Sequence, residues 1–317
     1  MKKSTMKAVV CPRYGAPEVL LIKEVDKPIP RSDEVCIKVH ATAVTASDIY
    51  IRGSQLPIRT LIPMRIFIGV TKPRKSIIGL VLSGEIVAIG KEINRFQPGD
   101  QVYGITGFGL GAYAEFKCMK ETDSTFGCLS LKPANITHEE STYIAYGGLL
   151  ALQSIEKSNI EKGQKVLIYG ASGTSGTIAV QLAKHLGAEV TGVCSTTNLE
   201  LVKSLGADKV IDYTDKNSAN LVERYDLVLD AVGKAKSSTL KNMCKNALSP
   251  LGKYISIDDD RLENSSKRLV KLKELTESGY IKPILDKIYP LENIIEAHEY
   301  VGKGHKKGGV AITILHT

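Results

Sequence analysis

Residues 165–176 read KVLIYGASGTSG, and this stretch leaves few folds open to the chain. Val166, Leu167 and Ile168 form a short apolar run of the kind that fills a buried parallel strand. Gly170, Gly173 and Gly176 follow, one glycine at every third position. Ile178, Ala179, Leu182, Ala183 and Leu186 then recur with a helical period. A strand, a glycine turn and a helix in this order aim backbone N–H groups at one point, and the helix N-terminus adds partial positive charge there. Such a point suits a diphosphate, because glycine lets the backbone approach an anion where a Cβ would block it.

The glycine spacing alone is a weak signal, since a turn of this kind can also serve only to pack a helix on a strand. Its surroundings strengthen it. A second strand is expected at Glu189–Cys194, a second helix at 199–205 and a third strand at 209–211. The order β-α-β-α-β is half of a dinucleotide-binding fold. Gly170, Ala171, Ser172, Gly173, Thr174, Ser175 and Gly176 are therefore the first candidate cofactor-binding residues.

A chain of 317 residues exceeds one ordinary domain, so two domains are expected. The net charge of +8 is spread along the chain, with short basic pairs only at Lys2–Lys3 and Lys306–Lys307. A solvated surface and an anionic cofactor account for it better than nucleic acid does. Six cysteines at 11, 36, 118, 128, 194 and 244 include no C-x-x-C pair. A zinc knuckle and a thioredoxin-type motif are thereby excluded. Cys36 and Cys194 lie in apolar strand patterns and read as small core residues. The expected compartment is the reducing cytoplasm, with no secretory signal and no membrane span.

Along the chain, residues 6–45 read as β. Within EVCIKVHATAV, Val35, Ile37 and Val39 take one face while Cys36, Lys38 and His40 take the other. His40 is thus expected to be a partly exposed strand residue rather than a ligand. A polar turn and short helix cover 45–53, an apolar, proline-flanked stretch covers 56–75, and β returns over 77–116 with a Pro98-Gly99-Asp100 turn. Residues 138–152 read as helix. Beyond the dinucleotide half, the expected elements are a strand at 226–233, a helix at 237–248, a strand at 252–258 and a helix at 267–278. A last strand, helix and strand close the chain. The stretch 56–75 reads either as a lid over an apolar substrate or as a surface helix packed on the front half, and the second reading is preferred.

The motifs PGDQVYG (98–104), GAYAEF (111–116), GASGTSG with its helix (170–187), LGADKVIDYT (205–214), DAVG (230–233) and YPLENIIEAHEYVGKGHKKGGVAITI (289–314) together resemble those of the medium-chain dehydrogenase/reductase superfamily, most closely its zinc-free quinone oxidoreductase branch. The resemblance runs nearly end to end. It implies an α/β architecture: a GroES-like β-barrel catalytic domain at 1–128, completed by about 280–317, and a doubly wound parallel Rossmann sheet at 129–279. It also implies a nicotinamide cofactor in the cleft between the domains, and a monomer or homodimer.

In the zinc alcohol dehydrogenases of that superfamily a cysteine and a Gly-His-Glu hold the metal. The matching positions here are Thr45 and Gly79-Leu80-Val81, which make a poor zinc site. No metal is expected. Hydride transfer without a metal suits quinones and α,β-unsaturated carbonyls, whose conjugation carries charge to an oxygen that one or two donors can meet. By resemblance, Thr45, Asp48 and Tyr50 stand at the nicotinamide end, with Tyr50 and Thr45 the candidate catalytic residues. The plainer alternatives are a packed aromatic for Tyr50 and a helix cap for Asp48.

The strand 189–194 ends in Cys194-Ser195-Thr196-Thr197, without the carboxylate that usually holds a ribose 2′-hydroxyl. NADPH is therefore the expected cofactor, its 2′-phosphate met by Ser195, Thr196 and the next helix N-terminus. Thr197-x-x-Glu200 reads as a capping box for that helix. Position 197 or 198, here Thr197 or Asn198, is basic in many relatives, and resemblance places Tyr213 beside the adenine ribose. Ala231 and Val232, with Ser256 and Ile257, end later strands at the carboxyl edge where ligands bind in such sheets. The leading expectation is an NADPH-dependent reductase of quinones or enones. The alternatives are a zinc-free aldehyde or ketone reductase and a non-catalytic nucleotide- or RNA-binding relative.

Overall fold

The alternation over EVCIKVHATA produces the strand around which the front half is built. In the computed structural model, which describes residues 4–53, 65–234 and 237–316, this strand is β3, Glu34–Ala43. Val35, Ile37, Val39 and Ala41 are wholly buried, while Lys38 and His40 are half-exposed. Cys36 departs from the two-face reading: it is buried too, because β6 (Phe116–Lys120) lies beside it and sets Cys118 opposite.

The chain divides into two units. The first holds residues 1–146, 264–273 and 285–317. It contains a two-stranded sheet of β1 (Thr5–Val10) and β2 (Leu21–Asp26). Its larger sheet runs β13-β14-β3-β4-β5-β7, with β6 also paired to β3. Here β4 is Val81–Ile89, β5 Gln101–Ile105, β7 Cys128–Leu131, β13 Leu285–Pro290 and β14 Gly309–Thr313. Strand β3 thus takes β4, β6 and β14 as partners, all antiparallel. Ile37, Leu82, Ile86, Tyr113, Leu129 and Ile312 are buried in its core. The boundary expected near residue 128 falls inside this unit. Of GAYAEF, only Phe116 enters a strand; Tyr113 is held in a loop whose N–H donates to the Ile78 carbonyl.

Of the stretch 56–75, residues 56–64 lie outside the described residues. In the remainder, Arg65 donates to the Gly53 carbonyl at 2.6 Å and stacks its guanidinium over Tyr14. Phe67 stacks on Phe108 with ring centroids 5.6 Å apart.

The second unit holds residues 147–263 and 274–284. Five parallel strands lie in the order β10-β9-β8-β11-β12. They are β8 (Lys165–Tyr169), β9 (Glu189–Cys194), β10 (Lys209–Asp212), β11 (Tyr225–Asp230) and β12 (Leu248–Ser256). The apolar runs VLI and LVL fill the two central strands and are buried, as a sheet covered on both faces requires. Strand order reverses between β8 and β11, which makes their carboxyl ends a topological switch point.

Two local expectations change. The helical stretch 138–152 is three pieces: a helix at His138–Tyr143, a π-helical turn at Ile144–Gly148 and a helix at Leu149–Ser158. The capping box Thr197–Glu200 does not form. A tight turn, Thr196–Asn198, precedes the helix Leu199–Ser204, so Asn198 takes the cap position and Glu200 pairs with Lys203 on the surface.

Candidate active site and cofactor site

In the second unit the glycine turn leaves β8 and enters the helix Thr174–His185. Gly170 has φ +82°, and a Cβ on it would meet Val232 Cγ2 at 2.4 Å, so the turn and the end of β11 leave no room for a side chain. Gly176 is as constrained: its Cβ would strike the Gly170 carbonyl at 2.1 Å. Gly173 differs. Its φ of −79° suits any residue, and a Cβ there would meet nothing nearer than 3.4 Å. The fold itself does not require glycine at 173. Glycine nonetheless stands at the N-cap of the helix Thr174–His185, where it leaves the backbone open as an anion-receiving helix N-terminus requires. The turn is held by the Gly170 and Ala171 N–H groups, both donating to the Val193 carbonyl at 3.0 Å. These residues fit a dinucleotide diphosphate.

Beside the turn lies a polar cluster at the ends of β9 and β10. Asn198 is buried, and its amide N–H₂ donates to Ser172 Oγ at 3.2 Å and Ser195 Oγ at 3.0 Å. Its carbonyl oxygen Oδ1 is buried without a partner, an orphan that a ligand hydroxyl satisfies. Cys194 is buried, which pushes its thiol up to about 11 and makes it a packing residue. Tyr213 is half-exposed, as a residue that stacks on a ligand must be, and its N–H donates to the Cys194 carbonyl.

One residue here escaped the sequence reading. Asp212, which ends β10, pairs with Cys194, which ends β9. Its carboxylate thus reaches Thr196, whose hydroxyl donates to Oδ2 at 2.5 Å, and Thr214 donates to Oδ1 at 2.7 Å. Burial favours the neutral acid, but these hydrogen bonds outweigh it and hold Asp212 below the ordinary carboxylate value. A carboxylate therefore stands next to Thr196, supplied by the neighbouring strand.

At the end of β11, Asp230 is wholly buried and ion-paired with Lys241 at 2.8 Å. Its Oδ1 accepts from the N–H groups of Val232 and Gly233, and its Oδ2 from Tyr254 and Ser256. Lys241 also donates to the Gly233 carbonyl at 2.6 Å. The pair fixes the turn 231–233, while Ile257 is tied back to β11 by its N–H to the Asp230 carbonyl.

In the first unit, Thr45 caps the helix Ala46–Arg52. Its N–H and hydroxyl both donate to Asp48 Oδ2, at 2.8 and 2.6 Å, and its Oγ1 accepts from the Asp48 N–H. Asp48 is thus the cap expected of it, and also more. It is wholly buried, its Oδ1 has no hydrogen-bond partner, and burial pushes its acid up to about 7 against the pull of the Thr45 bonds and of the Tyr113 hydroxyl. Around it lies a buried network. Tyr113 Oη meets His298 Nε2 at 3.2 Å, and Arg52 Nε donates to His298 Nδ1 at 3.2 Å. Because Nδ1 accepts, Nε2 carries the ring proton and donates to the tyrosine. Burial, and secondarily Arg52, push the His298 imidazole down to about 3, so it is neutral. Tyr50 lies on the same helix and is half-buried. The π-helical turn brings Tyr146 to the helix start, where its hydroxyl meets Ser47 Oγ at 2.6 Å. Burial pushes its phenol up to about 12, so it stays a proton donor. Tyr146 was missed in the sequence, although π-helical turns cluster at functional sites.

Comparison with known proteins agrees with this anatomy. Residues 31–129 match the alcohol dehydrogenase GroES-like domain, and residues 176–280 match the zinc-binding dehydrogenase family. The chain is 31% identical to the chloroplastic quinone oxidoreductase QR1 of Triphysaria versicolor, over 98% of this chain and 99% of that one. It is 29% identical to a 2-methylene-furan-3-one reductase of Solanum lycopersicum, over 98% of this chain and 79% of that one. The fold superposes on the quinone oxidoreductase of Coxiella burnetii with a TM-score of 0.82, at 24% identity, covering 98% of this chain and 100% of that one. The chain belongs to the medium-chain dehydrogenase/reductase superfamily, in its quinone-oxidoreductase-like branch, a family of nicotinamide-dependent oxidoreductases.

Proposed function

We propose that this protein reduces a quinone or an α,β-unsaturated carbonyl with hydride from NADPH, without a metal. The observation that carries the reading is Gly173: its backbone needs no glycine and a Cβ would clash with nothing, yet glycine stands at the N-cap of the helix that leaves the turn. That is the mark of a backbone kept bare for a ligand. The names of relatives that reduce quinones and a conjugated furanone support the substrate class.

When bound, the reduced nicotinamide supplies the hydride. The residues of the chain do the rest. Gly170 to Gly176 receive the diphosphate, and Ala231, Val232, Ser256 and Ile257 border the cofactor at the ends of β11 and β12. Tyr50 donates to the substrate oxygen on which negative charge collects. Thr45 holds the start of the Tyr50 helix, with its own proton committed to Asp48. NADPH is the donor in this reading because no carboxylate ends β9. Since Asp212 takes the Thr196 hydroxyl proton and the Asn198 N–H is bound to the Ser195 carbonyl, a 2′-phosphate draws on the Ser195 hydroxyl and the Thr197 N–H.

The test is cofactor oxidation, followed by loss of the reduced-nicotinamide absorbance, with NADPH and NADH separately against 1,4-benzoquinone, an enone and a saturated aldehyde, with and without EDTA. EDTA-insensitive turnover of the quinone or enone with NADPH is expected. Turnover of the aldehyde alone, or binding of NADPH with no turnover of any acceptor, overturns the proposal.

A further inference from the structure

Cys36 and Cys118 stand directly opposite one another where β3 pairs with β6. The Val39 N–H donates to the Glu115 carbonyl at 2.9 Å, so Val39 and Glu115 are a hydrogen-bonded pair. Bonded and non-bonded pairs alternate along an antiparallel ladder, which makes Cys36 and Cys118, three positions on, a non-hydrogen-bonded pair. Such pairs bring their Cα atoms to about 4.5 Å and aim their side chains to the same face. That separation lies within the roughly 4.4–6.8 Å that a disulfide spans. Cys36 is 2% exposed and Cys118 is partly exposed.

The surroundings favour reactivity. The Cys118 thiol hydrogen-bonds to Cys36, which holds the Cys36 thiol down and pushes that of Cys118 up. Lys27 adds positive charge beside Cys36, whereas at Cys118 the Cys36 contact, burial and Glu34 outweigh Lys117, so Cys36 is the nucleophilic thiol of the pair. Nearby cations are what distinguish reactive from inert cysteines. Cys128 and Cys194 lack this arrangement, facing Ile105 and Asp212 across their ladders.

We propose that Cys36 and Cys118 form a redox-sensitive dithiol, which a hydroperoxide closes to a disulfide across the β3–β6 ladder. The two S–H bonds break and the S–S bond forms. Two electrons and two protons pass to the peroxide, whose O–O bond breaks to give two waters, or water and an alcohol. The bridge ties strands already in register and is opened again by thiol–disulfide exchange with a dithiol.

The test uses the full-length protein with hydrogen peroxide as the oxidant. Treated and untreated samples are unfolded directly into denaturant containing N-ethylmaleimide, so that buried thiols are blocked before they can exchange, and are digested without reduction for mass spectrometry. Untreated protein presents six free thiols. Peroxide is expected to remove two of them, to link the peptide of Cys36 to that of Cys118, and to have both effects reversed by dithiothreitol. Cys118→Ser abolishes the link, whereas Cys244→Ser leaves it intact. The proposal falls if all thiols remain alkylatable, if the link joins another pair, or if Cys118 becomes a sulfinic acid while Cys36 stays free. The wild-type peptide map decides the matter even where a variant fails to fold.

Discussion

The Thr45 backbone N–H and the Thr45 hydroxyl converge on one oxygen of Asp48, Oδ2, at 2.8 and 2.6 Å. The other oxygen is left buried without a hydrogen-bond partner. A cap that needed only one oxygen would do equally well with a neutral amide. The acid instead sits at about 7, and this makes the first prediction.

A folded-state value raised above the ordinary carboxylate value of about 3.9 means that the folded chain holds the proton longer than the unfolded one. Stability from this group is complete below the unfolded value and is lost as pH climbs through the folded one. Relative to Asp48→Asn, the wild type is expected to lose roughly 4 kcal/mol between about pH 4 and pH 7. Urea unfolding of both proteins across that range measures it. A constant difference at all pH values would contradict the assignment.

Gly173→Ala separates folding from binding. The variant is expected to melt within about 0.5 kcal/mol of the wild type, as a compatible Gly-to-Ala change does. Its nucleotide affinity falls at least tenfold by calorimetry. Gly176→Ala, whose Cβ would strike the Gly170 carbonyl, loses stability instead.

Removing the Tyr50 hydroxyl tests its proposed contact with the substrate oxygen. Tyr50→Phe is expected to lower kcat by about 10²-fold, the scale of losing one donor to a developing oxyanion. The dissociation constant for NADPH stays unchanged. Equal turnover would return Tyr50 to the role of a packed aromatic.

Asp212 sets a charge beside the Thr196 hydroxyl. Asp212→Asn is expected to tighten NADPH binding by about tenfold while leaving NADH nearly unchanged, because one like charge is worth a kcal/mol or more at such a distance. Dissociation constants for both nucleotides decide it.

The Asp230–Lys241 pair is buried on both sides. Lys241→Met leaves a buried carboxylate without its cation and is expected to cost about 3–5 kcal/mol in denaturant unfolding. Asp230→Asn together with Lys241→Met recovers most of it.

What the sequence disclosed depended on distance along the chain. Strand β9 at Glu189–Cys194 and the glycine turn were legible because period and turn chemistry are local signals. Asp212 beside Thr196 was not, since only the β9–β10 register brings the two together. The same holds for Arg52, Tyr113 and His298, which share one buried network from three distant segments. The capping box at Thr197 failed for a local reason: the tight turn Thr196–Asn198 uses those residues before the helix begins. The break at Ile144–Gly148 ends on the Gly147–Gly148 pair, which the helical period of the surrounding apolar residues masked.

Strand β3 takes β14 as a neighbour, joining Thr42 to Ile312. The two segments lie near opposite ends of the chain. During synthesis, therefore, the first unit cannot complete its sheet until residues beyond 309 have left the ribosome. The five parallel strands, all within 165–256, emerge earlier and can pair while the front half still waits for β14. The front sheet is thus the last to close: β4 and β6 can already flank β3, but its edge at residues 41–43 stays open to other partners until β14 arrives.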